Sequence, residues 1–251
     1  MRDEWRNLIR EADGDATAAI HATTFLECIG SFSAPVKILA DDGRTYLIKG
    51  RQIGKAVVND RVVGLLGKAL GAPVASVTLV DLPQPLIAAE PAMRHMMPGM
   101  CHGSLWLENC TDREGITYTD VPENRTRFAA LAILYTWVGA QDHQFIYQKA
   151  APHIVYSVDH GHFFPGGPDW RIETLRQAVE PVLDPCFHAC DLGPEDLAPY
   201  CDCLRSLPNR AIAEAVAAPC RDWQITEDER IELAFYLDQR RIPTATAALR
   251  R

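Results

Sequence analysis

The chain has 251 residues, of which 47% are hydrophobic and 23% charged, ordinary values for a globular protein and enough chain for one large domain or two lobes. A formal net charge of −8 and a pI near 5.5 argue against a nucleic-acid partner, because gripping phosphate backbones takes a clustered basic surface. Met1-Arg2-Asp3-Glu4-Trp5 carries acids where a secretory signal has a basic stretch, and no run approaches the roughly 18 apolar residues of a membrane span, so a cytoplasmic chain without a membrane partner is expected.

In chain order, Gly30-Ser31-Phe32-Ser33 offers small residues whose backbone amides can approach phosphate oxygens. It matches neither the Walker pattern nor a full G-x-G-x-x-G. Segments 35–40 and 45–49 flank Asp42-Gly43, whose glycine accepts a positive φ, and predict an antiparallel hairpin. Lys49 ends the second strand, where its ammonium can either reach nucleotide phosphates or snorkel to water. Val58, Val62, Leu65, Leu66 and Ala69 recur on one helical face, which Gly71 and Pro73 terminate. Asn59 and Asp60 are either an ordinary first turn that satisfies the helix dipole or, for Asp60, a carboxylate that holds the Lys49 ammonium. Segments 74–80 and 86–89 predict a second strand pair around Pro83 and Pro85. Residues 90–102 read as a connector, which divides the chain into an N-lobe at 1–92 and a C-lobe at 93–251. Glu90, where the connector begins, joins the cofactor-binding candidates.

The second half is mostly helical. Asp120 and Glu123 form a D-x-x-E capping box before a helix at 124–138, whose Phe128, Leu131, Ala132 and Tyr135 share a face and predict a buried spine. Short strands at 145–147 and 154–158 follow. Neighbouring strands lie roughly 4.8 Å apart, so the hairpin returns the chain to its start and brings Asp142 and Asp159 to one mouth. One carboxylate can hold magnesium while the other accepts a proton from an attacking hydroxyl. Taken singly, Asp142 could cap a loop and Asp159-His160-Gly161 could be a common turn; their joint placement favours a site. Histidines 143, 153, 160 and 162 crowd this mouth and read as hydrogen-bonding partners of carboxylates rather than as metal ligands. Segments around Leu175 and at 197–207, 211–217 and 231–237 predict surface-packing helices. The eight cysteines read as reduced thiols, and a zinc reading of Cys186, His188, Cys190, Cys201 and Cys203 suffers from x-spacings of one.

The assembled order resembles the HipA-like kinase family in its short, stand-alone form, over about residues 28–167. The resemblance is carried by Asp41-Asp42-Gly43-x-x-Tyr46-x-x-Lys49, by Ala69-Leu70-Gly71-Ala72-Pro73-Val74 and by Ser157-Val158-Asp159-His160-Gly161-His162-Phe163-Phe164. It implies an α+β, two-lobed protein-kinase-like fold related to phosphoinositide kinases, with an antiparallel sheet plus one helix in the N-lobe and a mostly helical C-lobe. It also implies ATP and Mg2+ as cofactors. Lys49 would hold the ATP phosphates, Asp142 would be the catalytic base, Asp159 would hold magnesium, and Gly30 to Ser33 would cover the phosphates, with Ser31 and Ser33 as regulatory autophosphorylation candidates. Three departures stand out. Tyr147 occupies the position of a metal-holding asparagine, which leaves Gln144 as the substitute, and Asp60 replaces the usual glutamate. The extra N-terminal subdomain by which full-length HipA toxins contact their antitoxin is missing, so an antitoxin partner and a toxin role are not carried over.

The expectation is an ATP- and magnesium-dependent phosphotransferase acting on a Ser or Thr of a protein or on a small hydroxyl compound. The alternatives are a nucleotide-binding pseudokinase serving as a regulatory module and a helical scaffold with a zinc patch. The acceptor is not encoded, because loops 93–102 and 164–170 carry no recognisable code.

Overall fold

The computed structural model describes residues 1–13, 19–31, 33–112 and 115–250. Helix α1 (Arg2–Asp13) opens the chain and buries Trp5, Ile9 and Ala12 at helical spacing. Strands β1 (Ile20–Cys28), β2 (Val36–Ala40) and β3 (Thr45–Lys49) follow, with β2 and β3 joined at Gly43, whose φ is +77°. Helix α2 (Ala56–Leu70) ends at Gly71 in the left-handed conformation, as the sequence predicts. Strand β4 (Val77–Leu82), helix α3 (Gln84–Ala89) and strand β5 (Gly99–Leu105) complete this half.

The strands close into a barrel in the order β1-β2-β3-β5-β4, sealed by a parallel pairing of Ile20 with Val80 and His21 with Asp81. Alternation along β2 turns Val36, Ile38 and Ala40 inward to meet Tyr46, Ile48, Val80 and Cys101. Two sequence expectations are corrected here. Residues 86–89 are helical: Pro85 sits in the first turn of α3, where its missing N–H is no loss, whereas a sheet ladder would need it. Residues 90–102 are no simple connector, because β5 pairs with both β3 and β4 and so belongs to the barrel. Its consecutive buried residues, Cys101, His102 and Gly103, lack the period-two signal of a half-exposed strand.

The helical half contains β6 (Cys110–Asp112), α4 (Pro122–Val138), the hairpin β7 (Gln144–Gln148) and β8 (Val155–Val158), then α5 (Ile172–Arg176), α6 (Pro194–Ser206), α7 (Asn209–Ala217) and α8 (Glu227–Leu249). Helix α4 is the expected spine, buried without interruption from Phe128 to Val138. The predicted capping box does not form; Val121 is the N-cap and Pro122 sets the first turn, leaving Asp120 outside the helix. Helix α8 is no surface helix, since Leu233, Ala234 and Leu237 are fully buried. Helix α1 packs on α7 and α8 and shares their core, so the expected N-lobe at 1–92 joins a barrel to a helix that belongs with the other half. Among the described residues no helix is long and apolar enough to cross a membrane.

Candidate active site

Lys49 ends β3 opposite His102 of β5, and its side chain enters the space between the barrel and α2. The residue is 5% exposed, and its Nζ donates to Asp60 Oδ2 at 2.9 Å and to Asp159 Oδ1 at 2.6 Å. Burial alone would lower its pKa, but the two carboxylates outweigh that cost and hold it above an ordinary lysine. The second oxygen of Asp60 accepts the His160 backbone N–H at 2.7 Å. Asn59 donates from Nδ2 to the carbonyls of Gly161, Phe163 and Gly167 and accepts from Trp170 Nε1. Both residues are buried, so they clamp the D-x-G segment to α2 rather than decorating a solvated first turn.

Asp159 follows β8 with φ +55°, a conformation that aspartate tolerates better than most residues. A Cβ on Gly161 would lie 3.2 Å from Ala56 Cβ, so glycine is what lets this turn approach α2. The Gly71-Ala72-Pro73-Val74 segment docks on the same strand: Ser157 N donates to Pro73 O, and Val74 bridges Ser157. Behind it, Tyr135 Oη, Ser157 Oγ and His160 Nε2 form a buried chain with links of 2.6 and 2.8 Å. Burial drives the His160 pKa down to about 4, so the ring is neutral.

Asp142 arrives from the other side. Helix α4 stops at Gly139, φ +74°, and the chain exits to an exposed Asp142. Its neighbour His143 stacks on Tyr135 and bonds from Nε2 to Asp184 Oδ2 at 2.8 Å. Burial pushes the Asp184 carboxyl upward, but bonds from His143 and the Cys186 amide outweigh this and leave it below its usual range.

Two adjoining cavities meet at this point, sharing Ser31, Lys49, Gln144 and Asp159. The larger, about 630 Å³, is a polar mouth lined by Ser33, Gln52, Asp142, His143 and His162. The other, about 270 Å³, is an apolar slot between Leu47, Leu105, Trp106, Ile146 and Val158. Among the described residues, His102 of the slot and Gln52 of the mouth each carry a buried polar atom with no hydrogen-bond partner, Nδ1 and Oε1 respectively. Gln144 donates Nε2 to Asp112 and is paired with Val158, the residue before Asp159. Gln144 and Asp159 both line the two cavities, and a carboxylate with an amide oxygen is the donor chemistry that magnesium prefers.

An apolar slot opening on a mouth with a buried ammonium and two carboxylates is the layout of a kinase cleft, and residues 29–164, more than half of the chain, match the family described as HipA-like kinase. The chain belongs to the HipA-like kinase family. Among solved structures it is similar to the Helicobacter pylori proinflammatory kinase CtkA, with a TM-score of 0.59 and 10% identity over 92% of this chain and 97% of that one. It is also similar to the Golgi casein kinase, with a TM-score of 0.51 and 12% identity over 97% of this chain and 76% of that one. At such identities the likeness is one of fold, a sheet-rich N-terminal part followed by a helical C-terminal part. No curated protein matches the sequence.

In this HipA-like kinase the cleft gathers Ser31, Ser33, Lys49, Asp60, Asp142, Gln144 and Asp159. Gly30 lies beside them in the loop before β2, where an added Cβ would meet nothing within 4 Å, and Phe32 lies outside the described residues. Glu90 lines neither cavity: the chain there turns into a short 3-10 segment (Pro91–Met93) that buries Met93 in the barrel. The crossing between halves comes later, after β5, where Trp106 and Leu107 line the slot. Within residues 93–102, Met93 and Met96 are buried in the barrel core while Arg94, His95, Met97 and Pro98 are exposed. Tyr147 points into the core, its hydroxyl donating to Gly115 O and accepting from Thr117 N. His153 sits at the far end of the hairpin, bonded to Gln148 O and stacked on Tyr118. The five supposed zinc residues do not converge; Cys190 and Cys201 join the hydrophobic core. Among the described residues the metal-capable cluster is His143, Asp184 and Cys186. The sequence marks Asn59 only by its place beside Asp60, and nothing in it singles out His102 or Trp106.

Proposed function

We propose that this family member is an ATP-dependent phosphotransferase that moves the terminal phosphoryl group to a hydroxyl of a protein Ser or Thr or of a small compound. The observation that carries the reading is Lys49, buried between Asp60 and Asp159 where the apolar slot opens into the mouth that holds Asp142. The apolar slot excludes water around an aromatic base. Lys49, charged and aimed by Asp60, neutralises phosphate oxygens in a low-dielectric place. Asp142, exposed at the mouth, takes the proton of the acceptor hydroxyl. Asp159 and Gln144 would hold magnesium, which when bound supplies further charge neutralisation on the phosphates. Positioning and electrostatics therefore account for most of the catalysis.

The test is transfer of label from ATP in the presence of magnesium. Asp142→Asn should retain nucleotide-induced stabilisation and lose about 10²–10⁴-fold in rate. Asp159→Asn keeps the left-handed backbone accessible and should abolish metal-dependent transfer. Ser31→Ala with Ser33→Ala separates labelling of the chain itself from labelling of an added acceptor. Transfer that persists unchanged in both aspartate variants sinks the assignment. The burial of Tyr147 favours the pseudokinase alternative to the extent that it withholds a metal ligand, and an ATP-induced rise in Tm with no transfer to any acceptor would establish it.

A further inference from the structure

A separate cavity of about 800 Å³ lies among α1, α2 and α7, and it shares no lining residue with the cleft. Its walls are largely apolar and include several alanines, among them Ala12, Ala69, Ala211 and Ala215, whose small side chains leave it open. Arg61 of α2 lines it. This arginine is 2% exposed, and among the described residues its Nε and Nη1 are buried with no hydrogen-bond partner. Arg230, another buried arginine, is satisfied by the carbonyls of Val216, Ala217 and Pro219, so the fold can pair such a group when nothing else is intended for it. The acids at the cavity are already engaged, Asp13 with Arg221 and Glu214 with Arg210. Burial lowers the Arg61 pKa to about 10, which leaves the group a cation at neutral pH. Lys68 at the rim adds positive charge in a chain that is acidic overall.

An unpaired buried cation is a standing cost to a fold, and an oxyanion is the group that removes it. We propose that this cavity binds a small organic anion, a phosphate monoester or a carboxylate carrying an apolar body, whose oxygens complete the hydrogen bonding of the Arg61 guanidinium. The volume suits a small molecule. The proposal does not depend on the phosphotransferase reading.

Calorimetric titration of the full chain with hexyl phosphate, hexanoate and inorganic phosphate tests it. At least one of the two amphiphiles should bind with one-to-one stoichiometry and more tightly than inorganic phosphate; which of them wins identifies the head group. Arg61→Leu, close in size and free of charge, should weaken binding by about ten- to a hundred-fold, the range expected for charge-assisted hydrogen bonds. The same variant should keep or raise the Tm of the ligand-free protein, because it removes an unsatisfied group. Asp142→Asn, an exposed substitution in the cleft, should leave the affinity unchanged. The proposal is overturned if neither amphiphile binds the wild-type chain, if Arg61→Leu binds as well as wild type, if Asp142→Asn abolishes binding, or if inorganic phosphate alone binds as tightly.

Discussion

Lys49 is enclosed by two carboxylates that come from α2 and from the turn after β8. Removing the ammonium would strand Asp60 in a buried place, and breaking one side of a buried pair costs about 3–5 kcal/mol. Lys49→Met is therefore expected to lower the unfolding free energy by that order in urea denaturation, and adding Asp60→Asn should recover part of the loss. Equal losses in the single and double variants would remove the ion pair from the account. His160 makes a second prediction. Its folded pKa of about 4 lies below the ordinary 6.5, so between these values the unfolded chain binds a proton that the folded chain refuses. Stability is full above about pH 6.5 and falls by about 3 kcal/mol as the pH drops toward 4. His102, also depressed by burial, adds to the same window. Urea midpoints followed against pH should therefore flatten, without becoming level, in His160→Gln.

Two glycines let helix α2 pack closely, Gly64 on strand β4 of the barrel and Gly67 on Val74 and on Leu134 of α4. A Cβ on Gly64 would lie 2.7 Å from Val77 Cγ1, and one on Gly67 would lie 2.9 Å from Val74 Cγ1. In an exposed helix Gly→Ala is worth about 1 kcal/mol of stabilisation. Here β4 is tied into a closed barrel and cannot retreat, so overpacking of about 1–3 kcal/mol should win. Gly64→Ala is expected to destabilise the protein and to weaken ATP-induced thermal stabilisation, because Asp60 moves with the helix. A stabilised variant with undiminished response to ATP would refute this. The helical periodicity that reveals α2 in the sequence says nothing of these contacts, since a glycine inside an apolar pattern looks like a mere weak point.

Two hydrophobic cores divide the molecule, one inside the barrel and a larger one that runs from α1 through α2 and α4 to α8. Trp5 of α1 is 2% exposed in the larger core. Trp5→Ala should cost about 3–5 kcal/mol, and hydrogen exchange should lose protection in α7 and α8 before it does in the barrel strands. Loss confined to the barrel would contradict this packing. Glu232 of α8 binds Arg2 of α1 and Arg176 of α5, and hydrogen bonds from these arginines hold its pKa at about 2. Its contribution is present above the ordinary value of 4.5 and is lost as the pH falls toward 2, so Glu232→Gln should be less sensitive than wild type to acid in that window.

Much of this protein is written locally. Apolar spacing marks α2 and α4, a turn glycine marks the β2–β3 hairpin, and the length of the β7–β8 hairpin brings Asp142 and Asp159 to one cleft, because periodicity and turn chemistry act within a few residues. Strand β5, the role of Glu90, the packing of α1 and the unsatisfied Arg61 were beyond such reading. Each depends on which distant surfaces meet: a strand buried on both faces shows no alternation, and whether an arginine finds a partner is settled by neighbours from elsewhere in the chain.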